Sequence, residues 1–203
     1  ETKAFGKKVN LDDPAIIKAM SSNVAQYVTV KTFVAALRKV VVEELKPQLI
    51  SAVRKLSETP PFPFSRTTLD AKNTVFNLVA CENDFEFKFA KFLQDAGDVA
   101  AFAKLPQQFG FTIEYTDAVS NLRYYEPDFV SVLTNGTHYL VETKGREDVD
   151  VAHKDRAAQI WCENATQLTG IIWEYIKVPQ NDFEKLQPSY FADITVLKQP
   201  ALF

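Results

Sequence analysis

Apolar residues recur every three or four positions from Val30 through Val34, Leu37, Val41, Leu45, Leu49 and Ala52 to Leu56, which predicts one long amphipathic helix. Pro47 lies inside that stripe, and an interior proline costs about 3 kcal/mol, so a kink or a junction of two helices is expected there. Upstream, Asp12-Asp13-Pro14 supplies an acidic cap and a first-turn proline, and Ala15 to Met20 continue that helix. The proline-rich stretch "TPPFPF" at 59–64 then marks a connector between this helical segment and the rest of the chain. A further helix is predicted from about Asp84 to Ala96, and Val151, Ala158, Trp161, Ala165 and Leu168 mark another. Elsewhere the period changes to two. Phe111, Ile113 and Tyr115 alternate as in a strand, and further strands are expected near 128–134, 137–144 and 170–178. Strands followed by a crossover helix and another strand imply an α/β sandwich with a mixed sheet.

A chain of 203 residues, 46% hydrophobic and 24% charged, fits one globular domain or a compact domain with a smaller helical appendage. No apolar run approaches the roughly 18 residues of a membrane span, and "ETKAFGKKVN" has no signal-peptide core. Cys81 and Cys162 are isolated, which together with the missing signal implies a reducing, intracellular setting without a disulfide or zinc site. The first residue is not Met, which suggests a fragment or a processed chain.

The net charge of −3 argues against holding DNA by charge alone, but the charge is unevenly spread. Between residues 31 and 56, Lys31, Arg38, Lys39, Lys46, Arg54 and Lys55 face only Glu43 and Glu44. Across 122–160 acids prevail, and so acidic a site would repel a phosphate unless a divalent cation intervened.

The candidate chemistry lies in "EPDFVSVLTNGTHYLVETKG", residues 126–145. Asp128 and Glu142 are hard oxygen donors suited to Mg²⁺ or Mn²⁺, the carbonyl of Thr143 is a further backbone ligand, and Gly145 would let a substrate backbone approach. Lys144 would position or help deprotonate an attacking water and offset charge on a phosphorane-like transition state. Everything depends on register. Asn135-Gly136 is the strongest hairpin signal in the chain, and a two-residue loop would pair Thr134 with Thr137 and set Asp128 opposite Thr143. Glu142 and Lys144 would then point to the other face, away from Asp128. A metal site therefore requires a bulge or an odd-length loop, which shifts the pairing by one and sets Asp128 opposite Glu142, with Cβ atoms roughly 5 Å apart.

Glu86 shares the apolar face of its helix with Phe89, Ala90 and Leu93. Two explanations stand side by side: a further metal contact, or a capping box in which Asn83 caps the helix and Glu86 folds back. Lys154 lies on the inner stripe between Val151 and Ala158, where it either reaches a DNA phosphate or snorkels, and Arg146 and Arg156 are weaker phosphate contacts. His138 and His153 lack acidic or cysteine partners and are expected at the surface, while Trp161 and Trp173 are expected in the core.

Residues 77–188 resemble the C-terminal endonuclease domain of the Res subunit of type III restriction-modification enzymes, within the PD-(D/E)xK nuclease superfamily. The residues that carry this are Asn83 and Glu86 in the "FEFKFAKFL" helix, "AAFAKLP" at 100–106, "FTIEY" at 111–115, "YYEPDFV" at 124–130, "LVETKG" at 140–145 and "AAQIWCENA" at 157–165. Their order and spacing are far more specific than PD and ExK alone. The resemblance implies a restriction-endonuclease-like mixed sheet flanked by helices over 76–203, preceded by an N-terminal helical extension over 1–75. It also implies Mg²⁺-dependent cleavage of double-stranded DNA in a bacterial cytoplasm, with Asp128, Glu142 and Lys144 at the catalytic positions. In such enzymes an ATP-dependent superfamily 2 helicase motor lies upstream and a modification (Mod) subunit recognises the DNA. None of the six glycines here forms a GxxxxGK[ST] loop, so ATP belongs only to that missing motor. The basic N-terminal helix would bridge to it, packing on it or touching DNA. Two rival readings are a non-catalytic DNA-positioning module and an exonuclease or junction-resolving relative.

Overall fold

The computed structural model describes residues 10, 12–41, 46–50, 54–117, 121–144 and 151–197. The chain divides into two compact units, Glu1–Leu45 and Lys46–Phe203, so the proline-rich stretch 59–64 belongs to the second.

In the first unit, α1 (Pro14–Met20) begins where the Asp13 carboxylate accepts a hydrogen bond from the Ala15 amide and Pro14 opens the first turn. Helix α2 (Asn23–Val41) starts earlier than its apolar stripe suggested. The long helix expected to run to Leu56 does not do so: residues 46–50 and 54–55 are not helical, and only a 3₁₀ turn forms at Leu56–Glu58. Pro47 removes a ladder donor and pushes its predecessor out of the helical region, which two flanking hydrophobic residues cannot reverse. Arg54, expected on that helix, instead lies over the Phe109 ring at 5.0 Å.

The second unit is built on a four-stranded sheet, in the order Val99–Lys104 (β3), Phe129–Leu133 (β6), His138–Lys144 (β7) and Trp173–Pro179 (β8). β3, β6 and β7 pair antiparallel, whereas β7 and β8 run parallel and are joined by the crossover helix α4 (Val151–Thr169). Two short ribbons flank it: β1 (Thr68–Leu69) with β2 (Val79–Ala80), and β4 (Ile113–Thr116) with β5 (Leu122–Tyr125). Helix α3 (Asp84–Asp95) precedes β3, and α5 (Gln180–Leu186) and α6 (Phe191–Ile194) follow β8.

Alternate residues of β7 feed two cores. Tyr139 and Val141 join Phe85, Phe89, Phe129, Ile176 and Phe191 on the α3 face, while Leu140 joins Ile113, Tyr125, Ala158 and Cys162 on the α4 face. The first core is rich in edge-on phenylalanines, with Phe89 fully buried and 5.3 Å from Phe129 and 5.5 Å from Phe183. Trp161 and Trp173, expected in the core, are half-buried and meet edge-on at 5.2 Å against the second core. Both cysteines are buried and free, and burial pushes their thiols up to about 11 for Cys81 and about 12 for Cys162. Among the described residues no helix is long and apolar enough to cross a membrane.

The β6–β7 hairpin carries the site, and its loop has three residues. The Leu133 amide donates to the Thr137 carbonyl, and the Gly136 amide donates back to the Leu133 carbonyl, both at 2.9 Å. Gly136 takes φ +88°, a left-handed conformation that closes such loops and that glycine adopts without strain. The Asn135 side chain accepts from the Thr137 amide. As a result Val132 faces His138 and Phe129 faces Val141, and the next step of that register sets Asp128 against Glu142.

Candidate active site

Asp128 sits immediately before β6, behind the fully buried Pro127. Its carbonyl accepts from the Leu105 amide, which ties it to the end of β3. Its Oδ2 accepts from the Thr143 amide at 2.8 Å and from the Thr143 hydroxyl at 2.6 Å, so β7 orients the carboxylate directly. Its Oδ1 faces the Lys104 ammonium at 3.2 Å.

Lys104 is a site residue that the sequence pattern did not single out. It follows Phe102 on the core-facing side of β3, and a lysine ending an otherwise apolar strand was the available signal. Its ammonium lies 3.6 Å from Glu86 Oε2 and 5.5 Å from the centre of the Phe129 ring, with its side chain 11% exposed. Burial works against its charge, but Asp128 and Glu86 outweigh burial and raise it above the usual lysine range.

Asn83 caps the helix and Glu86 folds back, as the capping explanation expected, but onto the Glu82 amide and the Asn83 side chain. The Asn83 side chain accepts from the Glu86 amide, while the Glu86 carboxylate accepts from the Glu82 amide at 2.8 Å and the Asn83 side-chain amide at 3.0 Å. The same carboxylate reaches Lys104, so it serves the helix terminus and the site at once. Burial raises the Glu86 carboxyl above its ordinary range, partly offset by Lys104.

Glu142 and Lys144 project from the α4 face of β7 into a small recess that also takes in Tyr125, Lys154, Asp155 and Tyr175. Burial, reinforced by the Asp128 charge, pushes the Glu142 carboxyl up to about 8, while Tyr125, Lys144 and Lys154 pull it down. Lys154 thus faces Glu142 from α4, a third arrangement beside the phosphate contact and the snorkel considered for it. The Tyr125 hydroxyl donates to Glu142 at 2.9 Å and also contacts the Tyr175 hydroxyl. Tyr175 donates to Asp155, which accepts in turn from the buried Lys177 ammonium, both at 2.7 Å. A continuous polar chain therefore runs from Lys177 to Glu142 through the second core. No sequence pattern announced it, because its members come from β5, β7, α4 and β8.

Arg156 is exposed on α4, and Arg146 and Gly145 lie outside the described residues. His153 is exposed, whereas His138 is half-buried against Trp173, 4.7 Å between ring centres. On the other side of Asp128 opens a cleft of about 810 Å³, bounded by Pro60–Phe64, Asn77, Gln107 and Lys104.

Among the described residues no group of three or more His, Cys, Asp and Glu side chains is gathered closely enough to hold a metal ion. Glu86 is separated from the other acids by Lys104. Asp128 and Glu142 do fit a hard cation that keeps several waters: they supply oxygen donors from adjacent strands, and the Asp128 charge opposes ionisation of Glu142, an opposition that a cation between them would relieve.

A mixed sheet with its crossover helix, an acidic hairpin base and a lysine two residues beyond the second acid define a restriction-endonuclease-like nuclease domain. The family model for an endonuclease domain matches residues 72–186, more than half of the chain, and the chain belongs to that family. No curated protein and no solved structure matches it.

Proposed function

We propose that this domain cleaves double-stranded DNA with Mg²⁺ or Mn²⁺, as the cleavage module of a type III Res subunit in a bacterial cytoplasm. The observation that carries the reading is the three-residue hairpin loop, which aligns the base of β6 with Glu142, while Thr143 grips Asp128. Asp128 and Glu142 would hold the ion, with the Thr143 carbonyl as a further ligand. When bound, the ion would polarise a phosphate oxygen and acidify a water. Thr143 keeps Oδ2 of Asp128 engaged, so the ion would take Oδ1, which faces the Lys104 ammonium at 3.2 Å. Lys144, beside Glu142, would hold the attacking water and offset charge on the phosphorane-like transition state. Lys154 and Arg156 from α4, with Arg146, would contact phosphates. The helicase motor, its ATP and the Mod subunit would lie outside this sequence and supply movement and DNA recognition.

The test is plasmid cleavage in Mg²⁺ or Mn²⁺, by this chain and by the intact helicase-containing complex. Cleavage abolished by Lys144→Ala supports the proposal. An inactive complex, or one indifferent to Lys144→Ala, defeats it. One observation favours a non-catalytic DNA-positioning module instead: the Lys104 ammonium already neutralises Asp128. DNA binding without cleavage in that complex would select it. Comparing linear, circular and branched substrates separates an endonuclease from an exonuclease or junction-resolving relative.

A further inference from the structure

We propose that Lys104 competes with the divalent cation for Asp128, and that Glu86 is the carboxylate onto which Lys104 withdraws. This rests on the metal-dependent nuclease reading and adds to it a device that sets metal affinity.

Only one oxygen of Asp128 is open to a cation. Oδ2 already accepts two hydrogen bonds from Thr143, whereas Oδ1 faces the Lys104 ammonium at 3.2 Å. Lys104 is fixed there from below, since β3 pairs Lys104 with Phe129 and the Leu105 amide holds the Asp128 carbonyl at 2.8 Å. A divalent ion on Oδ1 would sit beside a buried ammonium, and like charges in a poorly solvated site repel strongly. The ammonium must therefore leave Oδ1 as the ion arrives.

Glu86 gives it somewhere to go. Its Oε2 is already 3.6 Å from the ammonium, and the Glu82 and Asn83 donors lock the carboxylate in place from behind. A short swing of the lysine tip exchanges the Asp128 contact for a closer Glu86 contact, without exposing the charge or breaking the helix cap. This explains an acid on the apolar face of α3: it is the counter-ion of Lys104 rather than a metal ligand. The arrangement also gives the half-buried Asp128 charge a partner before the ion binds.

The experiment is calorimetric titration of the full chain with Mg²⁺ and with Mn²⁺, for wild type, Lys104→Met and Lys104→Arg. Removing the competing charge should tighten ion binding about tenfold or more in Lys104→Met, and restoring it in Lys104→Arg should return the affinity to wild type or below. Ion binding by wild type that is unchanged or weakened in Lys104→Met overturns the competition and leaves the nuclease reading standing. No binding of either ion by wild type or Lys104→Met overturns both. Should Lys104→Met not fold, the ¹⁵N signal of the Lys104 ammonium in wild type, assigned by its loss in Lys104→Arg, decides the matter. It should move with the same midpoint as Mg²⁺ binding, and a signal unmoved at saturation overturns the proposal.

Discussion

Thr143 donates both its amide and its hydroxyl to one carboxylate oxygen of Asp128, across a hairpin whose odd loop sets Asp128 against the neighbouring Glu142. Thr143→Val keeps the shape and the amide but removes the hydroxyl. Groups that orient a metal ligand are worth about 10- to 100-fold in metal affinity or activity, so Mn²⁺ affinity and plasmid cleavage should each fall by about tenfold. Stability should fall by only about 1 kcal/mol in urea denaturation, the usual net worth of one hydrogen bond. Cleavage equal to wild type would remove Thr143 from the orientation of Asp128.

Lys144 makes no hydrogen bond or ion pair through its ammonium among the described residues. It stands at the end of β7, partly exposed, and is within electrostatic reach of Glu142. Lys144→Ala should therefore lower cleavage by about 100-fold or more, the usual loss on removing a group that stabilises developing charge, with a thermal midpoint close to wild type. A comparable drop in thermal midpoint would mean that the activity was lost through the fold.

The strands and helices that carry the candidate site were legible because each rests on a local signal. Asn135-Gly136 announced the hairpin, and the requirement that Asp128 share a site with Glu142 selected the odd loop over the two-residue one. Helix α3 declared itself through Asn83 and the face shared by Glu86, Phe89, Ala90 and Leu93. Other elements had no such signal. β3 carries a register shift between Val99 and Ala101 that breaks its alternation, and β5, "LRYY", is exposed except at Tyr125. The stripe from Val30 to Leu56 was periodic past Pro47, yet backbone sterics outweighed periodicity there. Lys104 and the chain from Lys177 to Glu142 were hidden for a different reason. Lys104 and Asp128 lie 24 positions apart, and Asp155 and Lys177 lie 22 apart, so only the tertiary fold joins them.

Glu142 should make stability depend on pH in a defined direction when divalent ions are chelated. Its folded carboxyl titrates near 8 rather than at the ordinary 4.5, through burial and then through Asp128. A raised value means that the folded state holds the proton more tightly. The corresponding stability is present below the unfolded value and is lost as pH rises through about 8. Thermal midpoints in EDTA should thus fall faster for wild type than for Glu142→Gln across that window. Because an ion on Glu142 must displace its proton, stabilisation by Mg²⁺ should grow over the same range. Parallel pH profiles for the two proteins would show that Glu142 is already ionised at neutral pH.

Lys177 and Asp155 form the inner end of the polar chain, 2.7 Å apart, with side chains only 6% and 10% exposed. Tyr175 shares the Asp155 carboxylate, so the acid is held from two sides. Lys177→Met would leave that carboxylate buried with one phenol for company. Breaking a buried pair by removing one partner typically costs about 3–5 kcal/mol, because the remaining charge is uncompensated. Urea denaturation should show a loss of that order. Replacing both partners, as in Lys177→Met with Asp155→Leu, should recover most of it, since no charge is left unpaired and the volume stays filled. The double variant should nevertheless cleave more slowly per folded molecule. Without Asp155, Tyr175 is free to turn, and the Tyr125 hydroxyl that holds Glu142 loses its support. Recovered stability with full cleavage would confine the pair to the fold. A double variant as unstable as the single one would instead show that the site needs the charges themselves.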